Sequence, residues 1–397
     1  MNTQPLPSER PAESRAMLSR DFTLLQVTPA LDSGGVETLT VDMATAAAAA
    51  GAWSLVASRG GRLEGALRWG GGELIRLPLK SHNLLTIADN AHRLEGVIRR
   101  EKVSVVHVRS RAPAFSALWA ARRTRTPIVA TYHGIYSANS SLKRWYNGVM
   151  TRGDVVIANS VYTRDHILSE HRIAAGRIEL IPEGVDTSIF DPAEIPPERV
   201  SAVRESWGVS QDDTRAIVLV AARLTGWKGH RVAIDALARS AWRERTLLVF
   251  SGSGENSSYA SELSARAAKA GVTLILAGRC ADMPAAFIAA DVVAAPSTEP
   301  ESYGRSVAEA SAMARIVIAS ALGGTAETVV DGQTGLLAPA GDVGAWAAAL
   351  DRALSLSPDE RAAMGIAAWT RIREHYSVAR MCQATFALYL RLSEART

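Results

Sequence analysis

The chain has 397 residues, 47% of them hydrophobic and 21% charged, with a net charge of +4. That length is more than one hydrophobic core usually holds and points to two or three domains, while the composition is ordinary for a soluble globular protein, with no disorder indicated outside the ends. No run of eighteen apolar residues offers a bilayer span, and Cys280 and Cys382 form no CxxC or Cys/His cluster, so packing roles in a reducing cytoplasm are expected.

Residues 1–20 carry three prolines and five charges without an apolar core segment, and read as a flexible tail rather than a secretory signal. Short β-branched runs follow at 22–30, 52–58, 73–79, 103–108, 127–133, 155–160 and 178–182, with helical stretches at 36–50, 84–101, 113–124 and 161–170. Continuous apolar strands alternating with helices predict a parallel sheet covered on both faces. The pattern pauses at 186–213, where Pro192, Pro196 and Pro197 among many charges read as a linker. It restarts with runs at 216–223, 246–252, 272–278, 291–297, 316–320 and 335–339, and a last helix is expected at 377–394.

The prediction is therefore α/β: a tail (1–20), a Rossmann-like domain (21–190) and a linker with a second Rossmann-like domain (191–376). Helix 377–394 is expected to return to the first domain. Ligands of such sheets bind beyond the carboxyl ends of the strands, so the expected site is a cleft between two doubly wound domains. The first 190 residues carry 23 Lys and Arg against 17 Asp and Glu. That excess fits a face toward something anionic or simply scattered solvated charge.

Four stretches carry candidate chemistry. In DSGGVET (32–38), Gly34 and Gly35 open the first helix, where backbone can approach a ligand, although a tight turn with no ligand has the same pattern. RLTGWKGH (223–230) puts Arg223 and Lys228 beyond the first strand of the second domain, either to grip phosphate or to stand solvated. TYHG (131–134) ends a strand in His133, a structural histidine or a hydrogen-bonding partner for a substrate.

STEPESYGRSVAEASAM (297–313) is a strand-to-helix loop running into a helix. Glu301 and Glu309 lie eight positions apart, roughly 10–12 Å if most of that segment is helical. The spacing suits a carboxylate at each end of a nucleoside diphosphate-sugar and not a retaining glycosidase pair, whose carboxylates are about 5–5.5 Å apart. Gly304 permits a turn, and the amides around Arg305, Ser306 and Val307 would form an anion site at the helix start. A plain N-cap cluster is the competing reading, and the neighbouring Arg223 and Lys228 favour the ligand site. The chain contains no DxD, HExxH or GxSxG, so charge on a departing diphosphate would be met by cations and amides.

Together, GGVET, TYHG, IPEGVD (181–186), RLTGWKGH, ESYGRSVAE and the continuation at 316–339 resemble the retaining glycosyltransferases of family 4, over about residues 21–392. The resemblance implies the GT-B fold, two doubly wound domains facing across a cleft, and transfer of a sugar from a nucleotide donor to an acceptor hydroxyl with the anomeric configuration retained. It implies that Arg223 and Lys228 bind the donor diphosphate and Glu309 the ribose. Glu301 and the backbone of Ser302, Tyr303 and Gly304 would hold the sugar, with the Ser306 and Val307 amides on phosphate. Gly34 and Gly35 would approach the phosphates, and His133 would lie by the sugar. The expected catalytic group is Glu301, His133, Arg223 and Lys228.

No cofactor or metal is expected beyond the co-substrate, a UDP-, GDP- or ADP-linked sugar. The expected acceptor is a saccharide or lipid-linked sugar, in lipopolysaccharide core or other cell-envelope polysaccharide synthesis, and no nucleic-acid partner is expected. The basic, aromatic stretch 139–152 fits peripheral contact with the inner face of the cytoplasmic membrane, or a solvated helix packing its rings inward. The same fold carries nucleotide-sugar 2-epimerases, whose acid and base groups are not identifiable here, and a non-catalytic nucleotide-sugar-binding subunit is a further alternative. One departure stands out: Glu183 takes the place where the family commonly has Asn, and no role is carried onto it.

Overall fold

Each apolar run read from the sequence becomes one strand of a wholly parallel sheet. The computed structural model describes residues 18, 19, 21–32, 34–136 and 140–395. Most of the stretch read as a tail, and Ser33 of the DSGGVET loop, lie outside the described residues. The described chain divides into two units. The first takes residues up to Gly184 together with those from Val378 onward, and the second is Val185–Ser377.

The first unit runs β1 (Thr23–Val27), α1 (Gly35–Ala49), β2 (Trp53–Ser58), α2 (Glu64–Trp69), β3 (Glu73–Arg76), α3 (Leu84–Arg100) and β4 (Val105–Val108). It continues with α4 (Arg111–Thr124), β5 (Ile128–Tyr132), α5 (Ser141–Asn147), β6 (Val155–Ala158), α6 (Val161–Glu170) and β7 (Ile178–Leu180). The strand order is β3-β2-β1-β4-β5-β6-β7. Alternate strand residues point to opposite faces, and both faces are dry. Leu24, Val105, Val129 and Ile157 pack with Leu39 and Met43 of α1 on one side. Leu25, Val27, Val106 and Val108 pack with Leu94 of α3 and Leu118 of α4 on the other.

The second unit begins with α7 (Pro197–Ser206), β8 (Ala216–Ala221), α8 (His230–Arg239), β9 (Thr246–Ser251), α9 (Ser258–Lys269), β10 (Thr273–Gly278) and α10 (Met283–Ala289). There follow β11 (Val292–Ala295), α11 (Arg305–Ala312), β12 (Ile316–Ser320), α12 (Thr325–Thr328), β13 (Leu336–Ala338), α13 (Val343–Ser355) and α14 (Pro358–His375). Its order is β10-β9-β8-β11-β12-β13. Leu219, Val249 and Val293 meet Phe287 and Val307 on one face, and Val218, Leu248 and Phe250 meet Ile234 and Trp346 on the other.

The stretch 186–213 is not a free linker. Phe190, Ile195, Val203, Trp207 and Val209 are buried in the second unit's core, α7 packs on α10, and Arg199 grips both oxygens of Asp282 at 2.7 Å. The prolines start helices rather than keep the chain extended: Pro197 sits at the first position of α7, where its missing N–H is of no consequence.

The last helix, α15 (Val378–Glu394), belongs to the first unit and lies against α1 and β4. It buries Met381, Cys382, Phe386 and Tyr389. Tyr389 Oη is 2.5 Å from His107 Nδ1, and His107 Nε2 is 2.7 Å from Thr131 Oγ1. Burial holds the His107 imidazole well below its ordinary value, so this buried histidine is a neutral bridge between sheet and helix.

Candidate active site

In the second sheet the strand order reverses between β8 and β11. Neighbouring loops leave there in opposite directions and open a crevice at the carboxyl ends of the strands. The two loops at that point are 222–229 and 296–304, the two richest in candidate residues. They are fastened to each other. Thr298 N–H donates to Trp227 O at 2.7 Å. Gly229 has φ +72°, and a Cβ there would lie 1.7 Å from Pro296 O, so only glycine lets the backbones approach this closely.

That fastening sets Lys228 on Glu301. Lys228 Nζ lies 2.7 Å from Glu301 Oε2, with the two side chains only 16% and 13% exposed. The ammonium also stands 4.4 Å above the centre of the Trp227 ring, and Ser297 Oγ donates to Glu301 Oε1 at 2.5 Å. The Glu301 backbone is held from a third loop: it bridges to Gly323, and Gly324 N–H donates to Glu301 O at 2.8 Å. Both carboxylate oxygens and the peptide are thereby oriented before any ligand is considered.

Gly304 takes the left-handed conformation (φ +87°, ψ +58°) and caps α11 without a side-chain hydrogen bond. A Cβ there would lie 2.5 Å from Thr325 Oγ1. The Val307 N–H turns back onto Gly304 O at 3.1 Å, so of the two amides expected on phosphate, Ser306 is the one the helix does not use. A helix start with open amides favours an anion. Glu301 to Gly304 are loop and helix begins at Arg305, so the stretch between Glu301 and Glu309 is only half helical.

Glu309 accepts a hydrogen bond from Arg305 Nε at 2.7 Å. Burial pushes its carboxyl above the ordinary value, partly offset by the Arg305 guanidinium. Tyr303 is buried and packs against Tyr376, the rings tilted at 43° with centres 6.2 Å apart, anchoring the loop; Ser302 lies beside it, partly buried. Arg223 is exposed and forms no ion pair among the described residues. The structure thus brings Lys228 to Glu301 and Arg305 to Glu309, and leaves Arg223 apart. Sequence reasoning named Arg305 for its backbone amide alone and missed its side chain on Glu309; it also missed Ser297, Trp227 and the Gly323-Gly324-Thr325 turn, of which only the paired glycines after a strand carried a readable signal.

In the first unit, Gly34 is the exposed N-cap of α1 and accepts from Thr38 Oγ1 at 3.0 Å, and Gly35 begins the helix. His133 directly follows β5, Asn159 directly follows β6, and Glu183 lies just past β7, three adjacent strands of the sheet. Glu183 Oε1 lies 3.0 Å from His133 Nδ1 and 2.8 Å from Asn159 Nδ2. One strand further in, buried Arg109 donates twice to Gln26 Oε1, at 2.9 and 2.8 Å. Burial lowers the Arg109 value, while Tyr389, Cys382 and then Glu183 favour its charge. No group of three or more His, Cys, Asp or Glu among the described residues could hold a metal ion.

Two wholly parallel sheets of this kind, with an E-x7-E loop at the switch point of the second, define a GT-B protein of the glycosyltransferase class. The first half, residues 33–189, matches the model of Glycosyltransferase Family 4, and residues 204–371 match Glycosyl transferases group 1. The chain is 32% identical over 296 residues to a GDP-mannose-dependent alpha-(1-6)-phosphatidylinositol monomannoside mannosyltransferase of Mycolicibacterium smegmatis, covering 70% of this chain and 74% of that one. It is 31% identical over 214 residues to a D-inositol 3-phosphate glycosyltransferase of Mycobacterium sp. (strain JLS), covering 53% of this chain. The match spans about half, 47%, of that relative's length. Among solved structures, a glycosyltransferase from Rickettsia africae superposes with a TM-score of 0.84 at 30% identity, over 94% of this chain and 98% of that one. The chain belongs to glycosyltransferase family 4.

Proposed function

We propose that this protein moves a sugar from a nucleoside diphosphate-sugar to an acceptor hydroxyl with retention at the anomeric carbon. The observation that carries the reading is the Lys228–Glu301 pair beside the open start of α11. Lys228, Arg223 and the Ser306 amide meet the diphosphate, Glu301 accepts from sugar hydroxyls, and Glu309 accepts from the ribose. From the family resemblance, His133 donates or accepts a hydrogen bond at the transferring sugar, and Gly34 and Gly35 bring backbone to the phosphates. The bond from the anomeric carbon to the phosphate oxygen breaks as the bond to the acceptor oxygen forms on the same face. The acceptor proton passes to the departing phosphate. No metal takes part in this scheme; abolition of turnover by EDTA with recovery on adding a divalent ion would contradict it.

The proposed acceptor is an anionic, membrane-borne glycan or glycolipid of the cell envelope, lipopolysaccharide core being the more particular reading. Relatives named for inositol phosphate and phosphatidylinositol acceptors support the anionic character. Exposed Leu142 and Trp145, with Lys143 in the same helix and the Arg152 guanidinium 5.1 Å from the centre of the Trp145 ring, support peripheral membrane contact. No helix among the described residues is long and apolar enough to cross a membrane. Labelled-sugar transfer to phosphatidylinositol, to inositol phosphate and to lipopolysaccharide core separates the acceptors.

A thermal-shift panel of UDP, GDP, ADP and CMP tests the donor. A nucleotide at one hundred times its dissociation constant stabilises by about 2.7 kcal/mol, and the matching base raises the melting temperature. If none of the four moves it, the donor reading fails.

A further inference from the structure

We propose that Glu183 is a positioning residue for His133, its carboxylate accepting the Nδ1 proton and so fixing the tautomer and orientation in which the imidazole is presented. Three parallel neighbours, β5, β6 and β7, deliver His133, Asn159 and Glu183 at the same end of the sheet. Glu183 Oε1 receives both others, Nδ1 at 3.0 Å and the Asn159 amide at 2.8 Å. An ionised carboxylate has acceptors only, so Nδ1 must carry the proton in this pair and Nε2 becomes the ring's other working atom. The His133 side chain is 4% exposed and that of Glu183 11%, so solvent contributes little to holding the ring. Asn159 in turn holds the carboxylate, giving a chain of two hydrogen bonds behind the imidazole.

An Asn at 183, the residue the family commonly carries, is one methylene shorter and neutral. It would not reach both donors from the same backbone position, and it could present either its oxygen or its amide to Nδ1. Glu183 removes that ambiguity. Its charge is also felt at buried Arg109, which ties the same carboxylate to the cation that ends β4. The consequence for transfer rests on the reading that His133 meets the transferring sugar. The consequence for the imidazole does not.

The test uses the full chain labelled with 15N at its eight histidines, the His133 signals being assigned by their loss in His133→Gln. The wild type and Glu183→Gln are expected to show Nδ1 protonated, since the Gln oxygen can still accept. Glu183→Ala is expected to drift toward the Nε2-protonated form. In turnover assays Glu183→Ala should lower kcat on the order of ten- to a hundredfold, the scale of losing a hydrogen-bonding partner behind a metal-bound histidine, with donor KM within about twofold, and Glu183→Gln should recover most of the loss. A wild-type ring protonated at Nε2, or an unchanged tautomer in Glu183→Ala, overturns the pairing. An altered tautomer with unchanged kcat overturns the positioning role. Nucleotide binding, read separately by thermal shift, decides the donor reading without involving Glu183.

Discussion

Replacing Lys228 by Met removes the ammonium and keeps an apolar stem on Trp227. At 2.7 Å and an effective dielectric near 20, the gross attraction between Lys228 and Glu301 is about 6 kcal/mol. Most of that is cancelled by the cost of desolvating both ions, so the pair itself is a weak stabiliser. Removing one partner is different, because Glu301 is then left mostly buried with the Ser297 hydroxyl as its recorded side-chain donor. Breaking a buried pair costs about 3–5 kcal/mol, and the residual exposure of both groups lowers the expectation to about 2–3 kcal/mol. For a unit of this size that is a fall of roughly 4–12 °C in melting temperature. Lys228→Met with Glu301→Gln should regain most of it, since no unpaired charge remains. Thermal unfolding of the four proteins of the double-mutant cycle gives the coupling directly. A Lys228→Met melting temperature within about 1 °C of wild type, with coupling below about 0.3 kcal/mol, would refute the pairing. The same variant should weaken nucleoside diphosphate binding roughly ten- to a hundredfold, the loss of one charge-assisted bond of about 1.5–3 kcal/mol.

Other outcomes follow from single groups. Gly229→Ala places a Cβ against Pro296 O in a left-handed residue; it should cost more than about 2 kcal/mol in chemical unfolding and weaken nucleotide binding with Lys228 intact. Burial raises the Glu309 carboxyl above its ordinary value. Its folded-state benefit is therefore present below the unfolded value and lost as pH rises through the folded one, so Glu309→Gln should melt higher at pH 7 while binding nucleotide less well, and the gain should vanish near pH 4. His230 is buried and held at about 4, burial being the main cause. Its contribution is present above the unfolded value near 6.5 and lost as pH falls toward 4, about 3 kcal/mol in all. In His230→Met that part of the acid slope of the unfolding free energy should be missing.

The sheets were legible because buried parallel strands read as continuous apolar runs, and every run from 22–30 to 335–339 contains a strand. The segment 186–213 was misread because proline and charge dominate its composition, whereas Val203 and Trp207, four apart on one helix face, were the signal of a packed helix. The loop at 297–304 was legible from its place between β11 and α11. The partner of Lys228 was not, because a contact across 73 positions of chain depends on loops being fastened by Gly229 and Thr298, which no local pattern encodes. Glu183 was visible as a departure from the family pattern. Its contacts with His133 and Asn159 became apparent only when the sheet placed β7 beside β6 and β6 beside β5.

The proposed transfer requires the second unit's loop at 297–309 to hold an activated sugar by its pyrophosphate. A crystal of the full chain soaked with the nucleotide that stabilises it most is the direct measurement. Diphosphate oxygens are expected within hydrogen-bond distance of Lys228 Nζ and the Ser306 amide, with ribose hydroxyls on Glu309. Nucleotide bound elsewhere, with the Lys228–Glu301 contact undisturbed and the start of α11 untouched, would contradict it.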